Sequence, residues 1–144
     1  MAESLSPTLE QLQQELVQQV IELYRTHLGH ELLQVSCNIV DKTITILAED
    51  SITRLEQFLG DNQQIDLALQ VRSNLLKSLE PHLQSLIERA IGVPVVDVIC
   101  NSTFETGRTS IVALSATIPK VLDLDTGKRV KQRLKSDSNS DSDK

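Results

Sequence analysis

His27 and His30 stand three positions apart, with His82 far along the chain. A metal centre needs at least a third ligand on a shared surface. Gly29 separates the first two and ends the helix expected there, which takes His30 off the face of His27. The pattern reads as surface histidines with no metal site. Cys37 and Cys100 fall on the inward faces expected of two strands, where a thiol acts as a small apolar side chain; a nucleophile needs exposure and a base beside it. The two are expected to be reduced, and the sheet could make them neighbours. Asp125-Thr-Gly-Lys-Arg129 contains a Gly-Lys pair but lacks P-loop spacing and a preceding strand. The five glycines are scattered and form no dinucleotide fingerprint, so no cofactor is expected.

Arg72 is the most informative charged residue. It borders an apolar stripe of Ala68, Leu69, Leu75 and Leu76, where a guanidinium must snorkel to water or meet a carboxylate. Glu56, in the short helix expected before it, is a suitable partner. The pair serves either to pin one helix to the next or to contact an anion or a partner. Phe104-Glu-Thr-Gly-Arg108 holds no base beside a nucleophile, and its length and glycine suit a hairpin turn. Phe104 and Arg108 remain candidates for a contact surface at the end of the sheet. No catalytic constellation assembles from these residues, and the chain is expected not to be an enzyme.

The elements that position these groups follow from the pattern of the 144 residues. Aromatics make up 2% of the chain and Trp is absent, so the core is built from Leu, Ile, Val and Ala. So few aromatics also disfavour recognition of single-stranded nucleic acid by stacking. The N-terminal stretch shows no signal-peptide pattern, and no apolar run is long enough to span a bilayer, so a soluble cytoplasmic protein is expected. Residues 1–119 carry 7 Lys/Arg against 15 Asp/Glu, a net of −8, whereas 120–144 carry 7 against 5, a net of +2. That break divides one domain, 1–119, from a charged tail, 120–144. The tail holds Lys128, Arg129, Lys131, Arg133 and Lys135 before a Ser/Asp repeat, with too few apolar residues to offset the entropy of ordering, so disorder is expected. The basic cluster is a candidate electrostatic contact for nucleic acid, a membrane surface or a protein partner.

Leu9, Leu12, Leu16, Val20 and Leu23 recur at helical spacing, and Ser6-Pro7 supplies a start. Alternation then marks a hairpin over Leu33–Ala48, turning at Asp41-Lys42, with Ile44, Ile46 and Ala48 facing inward. Asp50 or Ser51 is expected to cap a short helix, and a longer one follows to Gly92, kinked or broken near Leu79-Glu80 by Pro81. Two last strands, 94–103 and 109–118, place Val96, Val98 and Cys100 inward in the first and Val112, Leu114, Ala116 and Ile118 inward in the second. The order α-ββ-α(α)-ββ predicts a two-layer α+β fold, with a four-stranded, mostly antiparallel sheet of two hairpins and helices on one face. Its open face is expected to carry Gln34, Ser36, Asn38, Thr43, Thr45, Asp97, Asn101, Thr109, Ser115 and Thr117, uncharged enough to meet a second copy. A homodimer is expected.

The N-terminal amphipathic helix, the hairpin QVSCNIVDKTITILAE, Ile52-Thr-Arg-Leu-Glu56, Arg72, the stretch LLKSLEPHLQSLIERAIGVPV and the closing hairpin together resemble a bacterial family. It was long filed as a domain of unknown function and is now labelled MpsC-like. The resemblance covers about three quarters of the chain, from about residue 9 to 119. Ile52 stands where the family's signature has Leu, and the Ser/Asp tail lies outside the pattern. The family's name refers to a Na+-translocating, membrane-potential-generating system. What the resemblance implies is a non-catalytic accessory or regulatory protein acting by protein–protein contact, linked in some members to inorganic-carbon or cation transport. The alternative is a ligand- or nucleic-acid-binding regulator that uses the basic tail.

Overall fold

Two Thr-x-x-Gln/Glu boxes decide where the first two helices begin. The structure, a computed structural model, describes residues 7–121. Helix α1 (Leu9–Leu28) is capped by Thr8: its hydroxyl accepts the Gln11 N–H at 3.1 Å while Gln11 Oε1 accepts the Thr8 N–H at 3.0 Å. The start expected at Ser6-Pro7 therefore moves inward, because this box satisfies two free donors at once. Gly29 ends α1 with φ 60, a conformation that suits glycine.

Strands β1 (Gln34–Val40) and β2 (Thr43–Glu49) form the first hairpin. Helix α2 (Arg54–Asp61) is capped by Thr53, whose hydroxyl accepts the Glu56 N–H. The cap expected at Asp50 or Ser51 is thus corrected: Ser51 spends its N–H and its hydroxyl on the Gly107 carbonyl, at 2.8 and 2.9 Å. Helix α3 (Ile65–Ile91) runs without a break through Pro81. Pro81 and Lys77 are both on the exposed side, so the carbonyl freed by the missing N–H faces water. Strands β3 (Val95–Thr103) and β4 (Arg108–Ser115) close the chain.

The sheet is antiparallel throughout, in the order β1-β2-β4-β3, with the helices on one face. The predicted α+β architecture stands. Leu12, Leu16, Val20 and Tyr24 of α1, Ile44 and Ile46 of β2, Leu83 and Ile87 of α3, and Ile111 of β4 meet in the core, each at most 1% exposed. Full burial of such a side chain contributes about 1.5–3 kcal/mol.

The facing of β4 reverses the expectation. Ile111 and Ala113 point into the core with Thr109 and Ser115, while Val112 and Leu114 lie half-buried on the outer face. Both parities of this strand are apolar, so alternation alone could not choose. Pairing did: Ile46 opposes Ile111 and Ile44 opposes Ala113, and cross-strand partners share a face. Thr109 and Ser115 therefore leave the predicted outer surface; Gln34, Ser36, Asn38, Thr45, Asp97 and Asn101 are exposed as expected. Ala116 and Thr117 are exposed beyond the end of the strand. In β3 an irregularity between Val95 and Asp97 turns Val96 outward, 64% exposed, and brings Val95 inward in its place.

Candidate functional site

Glu56, Arg72 and Phe104, three of the residues singled out by their chemistry, converge at one end of the sheet around α2. This short helix has inverted amphipathy. Its one fully buried side chain is Glu56, whereas Leu55 and Phe58 are 62% and 63% exposed. The capping box explains the inversion locally. Glu56 Oε1 accepts the Thr53 N–H at 2.9 Å and the Thr53 hydroxyl at 2.7 Å, which turns the carboxylate back under the helix start.

Arg72 meets it from α3. Nε donates to Oε2 and Nη2 to Oε1, both at 2.6 Å, with the two side chains 5% and 0% exposed. Nη2 also donates to the Ser51 carbonyl at 3.0 Å, and Nη1 to the hydroxyls of Ser102 and Thr109 at 3.2 and 3.3 Å. All the guanidinium donors are directed at protein. Burial raises the Glu56 carboxyl pKa, but its bonds from Arg72 and Thr53 outweigh that and hold it below the ordinary carboxylate value. Burial likewise disfavours the Arg72 cation, and Glu56 more than restores it, leaving the pKa raised.

The hydroxyls have a determinable order. Ser51 gives its one proton to the Gly107 carbonyl, so Thr109 must donate to Ser51 across 2.6 Å, and Ser102 to Thr109 across 2.5 Å. Thr109 Oγ1 then accepts from both Ser102 and Arg72, and its capacity is full. This accounts for the buried Tyr24 hydroxyl, which lies in the field of Arg72 but makes no hydrogen bond of regular geometry. Burial pushes the Tyr24 pKa up, opposed by the Arg72 charge.

Phe104 lays its ring over Gly60 of α2; a Cβ on that glycine would stand 3.2 Å from the ring. Gly107 takes φ 74 in the turn between β3 and β4, the left-handed seat expected of it. Arg108 makes an exposed pair with Glu49 at 3.4 Å. Glu56, Arg72 and Phe104 therefore gather around α2, and Arg108 stands apart on the outer rim.

The remaining candidates do not join them. Cys37, Ile46, Ile111 and Cys100 form one row across the sheet, so the cysteines lie on opposite edge strands, about 14 Å apart by strand spacing, and are not neighbours. Burial pushes the Cys37 thiol up to about 12 and the Cys100 thiol to about 11, away from nucleophilic reactivity. His27 and His82 meet with ring centroids 4.7 Å apart, a contact that sequence distance hid. His30 Nε2 instead donates to the Asp50 carbonyl at 2.5 Å. Among the described residues no group of three His, Cys, Asp or Glu could hold a metal ion. The basic cluster Lys128, Arg129, Lys131, Arg133 and Lys135, and the Gly-Lys pair at 127–128, lie outside the described residues.

Outward from the ion pair, a cleft of about 710 Å³ opens between the end of α1, the start of α2 and α3, floored by Leu28, Ile52, Leu55, Val71 and Leu75. Elsewhere on α3, Ile65 and Leu69 are 43% and 46% exposed. The sequence placed Leu69 in the apolar stripe with Ala68; Ala68 stays inward, and Arg72 takes the inward position that Leu69 leaves. The signal available was Thr53-x-x-Glu56, which commits Glu56 to the cap and so turns Leu55 and Phe58 away.

The description "Na+-translocating membrane potential-generating system (MpsC)" matches residues 8–116, from the cap of α1 to just past β4. The chain belongs to the MpsC family. Its matched span contains every element of the fold and the whole Arg72–Glu56 network. No curated protein and no solved structure matches the chain. Among the described residues no helix of this MpsC-family chain is long and apolar enough to cross a membrane.

Proposed function

We propose that this chain is a non-catalytic accessory or regulatory protein that acts by protein–protein contact, on the cytoplasmic side, with a subunit of the Na+-translocating system for which its family is named. The observation that carries this reading is the inverted α2. A helix that buries a carboxylate and holds Leu55 and Phe58 to water keeps apolar area uncovered in the isolated chain. An accessory subunit uses such area on its partner, and the bidentate Arg72–Glu56 pair lies beneath it.

A homodimer forms part of the reading. The middle rows of the outer sheet face, Asn38-Thr45-Val112-Ile99 and Ser36-Leu47-Ser110-Asn101, carry no charge. They can meet their own copy without repulsion. Light scattering at micromolar concentration tests this, and a monomeric mass removes it.

The partner contact is tested by placing a photo-crosslinking residue at Phe58 of the full chain in native cells and identifying the adduct. A subunit of the Na+-translocating system in the adduct, lost in a Leu55→Ser variant of unchanged circular dichroism, is the expected result. An adduct-free α2 overturns the surface assignment, and capture that depends only on residues 122–144 moves the contact to the basic tail.

A further inference from the structure

The seat that receives Glu56 is built from parts that do not belong to α2. Arg72 comes from α3, Ser102 from β3 and Thr109 from β4, and Ser51 is pinned to Gly107 before the helix begins. The hydroxyls hold Nη1 and the Ser51 carbonyl takes one Nη2 proton, which leaves the Nε/Nη2 edge of the guanidinium presented to a carboxylate. That edge is the fork that binds carboxylates in bidentate fashion. The Tyr24 hydroxyl, fully buried and without a regular hydrogen bond, lies in the same field.

The plug in this seat rests on an element that buries little apolar surface. Glu56 is the one fully buried side chain of α2; Leu59 and Gly60 are half-covered, the latter by Phe104. At its far end the helix closes in a Schellman turn, with the Gln64 N–H on the Leu59 carbonyl at 2.8 Å and the Gln63 N–H on that of Gly60 at 3.3 Å. Gln63 adopts φ 63 there, in the position that glycine favours, so the turn carries backbone strain.

We propose that the Arg72 seat is a carboxylate-binding site which the chain's own Glu56 occupies in the closed state, and that residues 53–62 are the flap that opens it. An external carboxylate that enters exchanges one Arg–carboxylate pair for another, so the buried cation is compensated in both states. Opening removes no fully buried apolar side chain from the core. The inference stands independently of the partner proposed above.

The test uses the full chain, hydrogen exchange and thermal melting, with formate as the probe and chloride at equal ionic strength as the control. In the wild type, amides of α2 exchange about tenfold or more faster than those of α1, through local opening. In Glu56→Ala, formate raises the melting temperature by a few degrees more than chloride does, as a ligand of the folded state must. Glu56→Gln, whose amide fills the seat, shows no formate-specific rise. Exchange of α2 in step with α1 overturns the flap. Equal response of Glu56→Ala to formate and chloride overturns the site. If Glu56→Ala is unfolded in chloride, refolding in formate supports the proposal and failure to refold in it counts against the site.

Discussion

Arg72 and Glu56, sixteen positions apart, join through two hydrogen bonds of 2.6 Å in a site closed to water. Removing one partner leaves an uncompensated buried charge, so Arg72→Leu is expected to cost about 3–5 kcal/mol. Replacing both by apolar residues of similar volume is expected to recover most of that loss. Urea denaturation of the two single variants and the double variant measures the coupling directly.

The same pair sets an acid limb on stability. The Glu56 pKa lies below its ordinary value when folded, so the stabilisation is present above the unfolded value, about 4.3, and fades as pH falls through the folded one. Wild-type denaturation midpoints are expected to drop more steeply than those of Glu56→Gln as pH falls below about 4.3.

Tyr24→Phe is expected to be neutral or stabilising, by up to about 1 kcal/mol, because its buried hydroxyl has no regular partner to lose. Burial raises the Tyr24 pKa, so stability is expected to fall as pH rises past the unfolded value near 10, and Tyr24→Phe should flatten that decline. Thermal melts across the alkaline range check both points.

Gln63→Gly relieves a left-handed backbone at the end of α2 and is expected to add about 0.5–1 kcal/mol, whereas Gln63→Ala keeps the strain and adds nothing. Equal stabilities for the two variants would contradict the strain. The comparison is made by chemical denaturation.

Ile111→Ala is expected to cost about 2–5 kcal/mol and Val112→Ala less than about 1 kcal/mol, since only the first opens a core cavity. Opposite magnitudes would restore the facing first expected, with Val112 and Leu114 inward. Mild oxidation should also leave no Cys37–Cys100 link, which mass spectrometry under non-reducing conditions reports.

Much of this molecule is written in periodicity. The spacing of Leu12, Leu16 and Val20 and the alternation of Ile44, Ile46 and Ala48 determined α1, the first hairpin and their inward faces, because each stretch has a single apolar stripe to bury. Local chemistry determined the starts of α1 and α2 through two capping boxes, although the Ser and Asp residues nearby offered competing caps. Three features belong to the tertiary structure alone. β4 is apolar on both parities, so its facing awaited the partners Ile44 and Ile46. The capping box turned Glu56 under α2, but its seat, with Arg72 of α3 held by Ser102 and Thr109, was assembled only by the fold. The contact of His27 with His82 arose from the crossing of α1 over α3. In each case the deciding energy is a pairing between distant segments, and a buried charge or a cross-strand neighbour outweighs what any single stretch of sequence prefers by itself.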